Sequence, residues 1–428
     1  MNEFDRIIGY AEVKRQLVRI ADALKNTGIY AALGAVSPRG LLLYGEPGVG
    51  KTLMAQCLIE ASGREAYVCR KTESDGAFLD TIRETFERAA ENEPSIVFLD
   101  DMDKFANEDN YHRDAEEYVT IQSCIDEVKE REVFVLATVN DMGKLPDSLK
   151  RAGRFDWIIG VNNPEGKDAV DIIRYYLSNK TLDGDMDAET IAAILGGRSC
   201  AVLETVINEA GLLAGFQRAD HVTMQHIMEA GLEIEYGVVP ETFIPIDLSK
   251  DGLGARTVYH EAGHTVIAEL LAPGSVILTL VKCTDGKTTG STKLSKKSDY
   301  WDLRSFERDI MVSLAGRATE GMRYGIFDVG ASKDLDRAFA TADRLIEDHC
   351  LAGFDLYDWG KNSQELTARQ ETAAAVEVAR YDRLVRELLV KNRDFLEAVA
   401  HALAEKGVLL AADIRAIRES CGITAAAV

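Results

Sequence analysis

The chain has 428 residues and carries 49 Lys plus Arg against 71 Asp plus Glu, a formal charge of −22. That length suits two or three domains with real cores, and 46% apolar with 28% charged residues excludes wholesale disorder. The longest stretch free of Asp, Glu, Lys and Arg is thirteen residues, Asn26 to Pro38, with Leu270 to Val281 next at twelve, so no membrane span is expected, and the acidic balance argues against nonspecific binding to nucleic acid.

Residues 1–162 alternate short β-rich runs with amphipathic helical stretches. Leu41 to Tyr44 ends at Gly45, Ser95 to Leu99 at Asp100, and Val133 to Ala137 shortly before Asn140. Such runs read as buried strands of a parallel sheet, with polar groups at the strand C-termini where ligands of open α/β sheets bind. Residues 163–236 read as a helical lid, with helices over Ala188 to Leu195, Ala201 to Leu213 and Met224 to Ile234. Residues 237–254 hold two prolines and little periodicity and read as a linker. Residues 255–428 read as a mainly α-helical domain. Arg304 to Glu320, Ser332 to Leu351 and Ala373 to Ala404 carry helical spacing, and Val276 to Val281 is a predicted strand.

Gly45-Glu46-Pro47-Gly48-Val49-Gly50-Lys51-Thr52 fits the phosphate-loop pattern completely, after a predicted strand and before a predicted helix. The loop's backbone N–H groups and the helix N-terminus favour phosphate oxygens. Lys51 would neutralise the β- and γ-phosphates of ATP, and Thr52 would ligate Mg²⁺. Asp100 would hold Mg²⁺ through water, and Asp101 would orient the attacking water. Asn140 could position that water too, and Arg151 and Arg154 could reach a neighbouring subunit's γ-phosphate.

His260-Glu261-Ala262-Gly263-His264 lies in a helix predicted from Arg256 to Leu271. Histidines at i and i+4 share one helical face and can bind a single Zn²⁺, with Glu261 taking a proton from water. No third His follows at position 267 or 270, so the third ligand must be a distant acid. Spacing does not choose between Glu320, Asp328, Asp334 and Asp336.

The two motifs, in this order, resemble the FtsH family of ATP-dependent zinc proteases, and the resemblance covers nearly the whole chain. Phe4 to Gly9 resembles the segment where that family's ATPase domain begins, which implies that Ile8 and Gly9 touch adenine. Gly197 to Glu204 with Asn208-Glu209-Ala210 resembles the lid helix behind the nucleotide. Leu314 to Glu320 and Gly330 to Leu335 resemble two peptidase signatures, the second of which implies Asp334 as the third zinc ligand. The resemblance thus implies an AAA+ ATPase domain followed by a zinc metallopeptidase, polypeptide substrates and a homo-hexamer.

Departures accompany the resemblance. The family's usual two membrane helices are not expected within this sequence. Asp101 stands where a Glu is usual, one methylene shorter. The stretch Lys71 to Phe78, where the family's pore loop carries an aromatic and a glycine, is polar up to Gly76. Phe78 or Tyr67 is the alternative gripping residue.

The expected function is an ATP-dependent zinc endopeptidase acting on unfolded or weakly folded polypeptides. A nucleotide-gated remodelling or scaffold ATPase is the alternative, motivated by Asp101 and the polar loop. Met1 to Asp5 do not read as a secretory leader, and seven scattered cysteines without a Cys-x-x-Cys pair fit a reducing cytoplasm. Cys57, Cys69 and Cys124 are expected as small core residues.

Overall fold

Apolar runs of the first half assemble into a five-stranded parallel sheet: β1 (Gly40–Tyr44), β2 (Glu65–Cys69), β3 (Ser95–Leu99), β4 (Val133–Val139) and β5 (Trp157–Gly160), in the order β2-β3-β4-β1-β5. The computed structural model describes residues 3–423, apart from 37, 72–76, 107–114, 152, 185, 239–242, 285–286, 296–301, 326–331 and 348–363. β3 and β4 are buried along their whole length, which is why they read as unbroken apolar runs. The edge strands β2 and β5 are only partly covered, Val68 being exposed, and their weaker pattern gave no sequence signal. Pairing of Leu43 with Thr138 and of Leu99 with Ala137 brings the phosphate loop, Asp100-Asp101 and Asn140 to one edge of the sheet.

Helices α1 (Ala11–Lys25), α2 (Thr27–Ala32), α3 (Lys51–Ser62), α4 (Ala77–Glu91) and α5 (Glu116–Glu127) accompany this sheet. Four more follow: α6 (Gly166–Leu177), α7 (Ala188–Leu195), α8 (Cys200–Phe216) and α9 (Met224–Tyr236). Of these α6 had no counterpart in the sequence reading, although it buries Ala169, Val170, Ile172, Ile173 and Leu177 at helical spacing. Cys57, Cys69 and Cys124 are buried free thiols.

The chain divides into two compact units, 1–235 and 236–428. The second is built around α10 (Leu253–Leu271), which buries residues on every side, from Ala255 to Leu270. A helix apolar all round belongs inside a core. A three-stranded antiparallel sheet, β6 (Val276–Thr284), β7 (Lys287–Leu294) and β8 (Val408–Leu410) in the order β7-β6-β8, packs on it. Helices α11 (Leu303–Tyr324), α12 (Ser332–Glu347), α13 (Gln364–Lys391), α14 (Arg393–Lys406) and α15 (Ala411–Ser420) complete the unit. α11 approaches α10 closely because Gly263 has no side chain: a Cβ there would lie 2.7 Å from the Ala315 carbonyl oxygen.

Three expectations are corrected. The motif helix starts at Leu253, not Arg256, so it takes the last residues of the stretch read as linker. The periodic run Ala373 to Ala404 is two helices, broken at Asn392, whose φ of −113° and ψ of 35° leave the helical region. The predicted strand at Val276 continues to Thr284 and has two partners; β7 was missed because it is polar and carries Gly290. Among the described residues no helix is long and apolar enough to cross a membrane.

Candidate nucleotide and metal sites

The phosphate loop joins β1 to α3, with Lys51 as the first residue of the helix. Gly48 has φ of 81° and passes Ser199 and Ala201 so closely that a Cβ would lie 2.8 Å from the Ala201 methyl. Glu46 and Pro47 are exposed, whereas Val49 is buried. Lys51 is 5% exposed, and its Nζ donates to the carbonyls of Gly45 at 2.7 Å and Glu46 at 2.9 Å and to Asn140 Oδ1 at 2.8 Å. Burial lowers the Lys51 pKa, and Asp101 and Asp103 oppose that shift.

Asp100 directly follows β3 and is buried. Its Oδ1 accepts from Thr138 Oγ1 at 2.8 Å and Thr52 Oγ1 at 3.3 Å, and its Oδ2 accepts from Arg70 Nε at 3.1 Å and from Arg70 Nη2. Asp101 has φ of 55°. Its carboxylate accepts from Asn140 Nδ2 at 3.2 Å and Lys104 Nζ at 2.6 Å. Burial opposes ionisation of Asp101, but Lys104 and Asn140 outweigh it and its pKa is lowered. The Asp101 N–H also donates to Thr138 Oγ1 at 2.8 Å, which joins Lys51, Thr52, Asp100, Asp101 and Asn140 in one hydrogen-bonded cluster. Half-buried Ile8 precedes Gly9, whose φ is 67°, and the next residue's N–H donates to Asp168 Oδ1 on α6 at 2.9 Å.

The two arginines differ. Arg154 is held within its own chain, donating to Asp126 Oδ2 at 2.8 Å, Gln122 Oε1 at 3.2 Å and the Ser148 carbonyl at 2.6 Å. Arg151 is exposed, and its guanidinium has no hydrogen-bond or ion-pair partner among the described residues. Ser74, Asp75 and Gly76 lie outside the described residues. Phe78 and Tyr67 are both buried in the core of the first unit, with Phe78 stacked edge-on against Phe105 at 4.9 Å. Neither ring is presented for gripping a substrate, which corrects that alternative.

In the second unit, His260 and His264 project from one face of α10 and meet Asp334 of α12. His260 Nε2 lies 3.1 Å from Asp334 Oδ2 and 3.0 Å from His264 Nε2, and His264 Nε2 lies 3.5 Å from Asp334 Oδ2. The remaining ring nitrogens are engaged: His260 Nδ1 donates to Glu320 Oε1 at 3.0 Å, and His264 Nδ1 donates to the Val312 carbonyl at 2.6 Å. With both Nδ1 atoms protonated, neutral rings present two Nε2 lone pairs to one another and to a carboxylate. Three acceptors converging in this way can share one cation, a proton in the metal-free chain or a bound metal ion. Four-coordinate Zn²⁺ bound at about 2.0–2.2 Å spaces its ligands by roughly 3.3 Å, so the donor set fits zinc. Gly316 of α11 makes room: a Cβ there would lie 2.5 Å from His260 Nε2 and 2.6 Å from His264 Nε2.

In the metal-free chain burial lowers the His260 pKa, but hydrogen bonds with Asp334 and Glu320 outweigh it and raise it to about 10. Burial opposes ionisation of Asp334 too, yet the two imidazoles hold its carboxyl well below the usual range. Glu261 is 6% exposed, and burial raises its pKa against the pull of His264 and His260. Of the four acids left open by spacing, Glu320 reaches only the far nitrogen of His260, Asp336 is not among the clustered donors, and Asp328 lies outside the described residues.

Residues 41–163 match the ATPase family associated with various cellular activities (AAA), and residues 254–417 match Peptidase family M41. An ATP-dependent zinc metalloprotease FtsH 2 from Symbiobacterium thermophilum is 31% identical over 97% of this chain and 74% of its own length. The chain belongs to the FtsH family of ATP-dependent zinc metalloproteases. FtsH proteins from Pelobacter propionicus (28% identical over 95% of this chain and 69% of the relative) and Ureaplasma parvum (30%, 97% and 60%) are similar to it as well. Against these FtsH relatives the chain therefore spans about 60–74% of their lengths.

Within this FtsH-family frame, sequence reasoning missed several residues that shape the sites. Arg70 follows edge strand β2 and carries no motif, so nothing marked its reach to Asp100. Thr138 sits inside an apolar strand, where a lone Thr gives no signal. Gly316 belonged to a quoted signature, but only the packing of α11 on α10 explains why it must be small.

Proposed function

We propose that this chain hydrolyses ATP at the Lys51–Asp100–Asp101–Asn140 cluster and cuts polypeptides at the His260–His264–Asp334 site. The observation that carries the reading is the convergence of His260 Nε2, His264 Nε2 and Asp334 Oδ2 beside the buried Glu261 carboxylate. Bound there, Zn²⁺ would polarise a water and the scissile carbonyl. Glu261 would accept the water proton on a carboxylate oxygen and deliver it to the leaving amine. Glu320 and the Val312 carbonyl would keep both imidazoles in the tautomer that presents Nε2.

At the first site Mg²⁺ would supply positive charge that offsets the phosphates of bound ATP. Lys51 would turn from the loop carbonyls to the phosphates, and Thr52 and Asp100 would face the ion. Asp101 and Asn140, already bonded to each other, would orient the attacking water. Arg151 would complete a neighbouring subunit's site, which calls for a ring, and a homo-hexamer is the ring proposed. Polypeptides are the proposed substrates and the cytoplasm the proposed compartment.

The domains proposed are an ATPase α/β part over 1–162, a lid over 163–236, a linker over 237–254 and the peptidase over 255–428. The test is degradation of an unfolded casein-like protein and of a stable folded domain, each with and without ATP and zinc. Zinc-dependent cleavage of the unfolded protein, stimulated by ATP, is expected. Robust ATP hydrolysis with no cleavage in saturating zinc would favour the remodelling or scaffold alternative.

A further inference from the structure

We propose that Thr292 is a positioning residue for Glu261, its hydroxyl holding the carboxylate in the orientation needed beside the metal site. The inference rests on the peptidase reading above. Thr292 Oγ1, on β7, donates to Glu261 Oε2 at 2.7 Å. It is the one hydrogen-bond donor to that carboxylate among the described residues. Oε1 is thereby left to accept a proton, while Oε2 is tied down.

The same face of β7 shapes the rest of the pocket. Gly290 lies two residues before Thr292, hence on the same side of the strand. A Cβ at Gly290 would lie 2.6 Å from Glu261 Oε1 and 2.8 Å from its Cδ. One position leaves room for the carboxylate and the next supplies its donor. A glutamate has three side-chain torsions, so an untied carboxylate would sample several rotamers and lose alignment with its proton.

The backbone end of Glu261 is fixed through a related set of hydroxyls. Thr265 Oγ1 donates to the Glu261 carbonyl at 2.9 Å and lies 2.6 Å from Thr279 Oγ1. Thr279 on β6 is the cross-strand partner of Thr292. The strand pair that carries Thr292 is thus pinned to the turn of α10 that carries Glu261.

The test compares Thr292→Val, which keeps the shape and removes the hydroxyl, with Thr292→Ser, which restores it. In the full chain with zinc, Thr292→Val is expected to lower kcat for an unfolded peptide about 10- to 100-fold at nearly constant KM and full zinc content, with Thr292→Ser within about threefold of the parent. A second readout uses the metal-stripped chain and needs no activity. Thr292→Val should lower the melting midpoint of the peptidase unit by about 2–4 °C, and by much less once Glu261→Met has removed the acceptor.

Unchanged kcat in Thr292→Val while Glu261→Gln is inactive would overturn this inference alone. So would failure of Thr292→Ser to restore kcat, or additive shifts in the melting cycle. A zinc-loaded parent that cleaves no peptide would overturn the peptidase reading and this inference with it.

Discussion

Glu320 and Asp334 take opposite nitrogens of the same imidazole: His260 Nδ1 donates to Glu320 Oε1 at 3.0 Å, while His260 Nε2 faces Asp334 Oδ2 at 3.1 Å. The two acids therefore differ in what they do for a metal ion. Asp334→Asn is expected to lower zinc content outright. Glu320→Gln should retain full occupancy in excess zinc and weaken affinity by about 10- to 100-fold, as loss of an outer partner does. Competition against a chelator measures both. Full zinc in Asp334→Asn would refute the assignment.

Arg151 and Arg154 should separate on mutation. Arg154→Ala removes hydrogen bonds to Asp126, Gln122 and the Ser148 carbonyl, so it is expected to destabilise the first unit by about 1–2 kcal/mol. Arg151→Ala should leave the melting curve unchanged but remove the rise of ATPase activity per chain on assembly. Mixing Arg151→Ala with Lys51→Ala chains should restore some activity, because some shared sites are then intact. Concentration-dependent ATPase in Arg151→Ala alone would rule out its role across subunits.

Asp101 has a short reach, and its two oxygens are already engaged by Asn140 and Lys104. A carboxylate that orients water must come within hydrogen-bond distance of it. Asp101→Glu is expected to raise the ATPase rate or at least preserve it, whereas Asp101→Asn should abolish it. Inactive Asp101→Glu with intact nucleotide binding would mean that the surrounding loop is built for aspartate.

Two buried thiols give the first unit an alkaline limit. Burial pushes Cys69 and Cys124 up to about 11 from the ordinary thiol value of 9.0. Unfolded thiols then lose their protons first, so the folded state holds more protons between these values. The stability involved is fully present below pH about 9 and is lost as pH rises towards about 11. Tyr118 and Tyr176, raised to about 12 mainly by burial, extend the decline. The urea midpoint should fall between about pH 8.5 and 10.5, and Cys69→Ala/Cys124→Ala should flatten the fall. Identical slopes in parent and double variant would contradict this.

The legible parts were those where local chemistry and global packing agree. β1, β3 and β4 are buried on both faces, so their apolar runs are strand and core at once. The phosphate loop and the two histidines of α10 are local patterns whose spacing alone implies their geometry. What stayed hidden depends on distant partners. Arg70 reaches Asp100 across 30 residues of chain, and Glu320 meets His260 across 60. Thr292 lies on a polar edge strand that resembles a loop, yet its hydroxyl meets the buried Glu261. The run Ala373 to Ala404 misled because its apolar spacing continues across Asn392, where the backbone turns. Phe78 and Tyr67 misled for the opposite reason: they flank the polar stretch 70–76, while their rings belong to the core.

Glu261→Gln offers the most direct measurement, because it keeps size and leaves His260, His264 and Asp334 in place while removing the base. Degradation of an unfolded casein-like protein, zinc content and ATP hydrolysis should be measured on the same preparation. Loss of cleavage with zinc and ATPase retained is the expected result. Cleavage at the parent rate by zinc-loaded Glu261→Gln would contradict the assignment of this site as the peptidase centre.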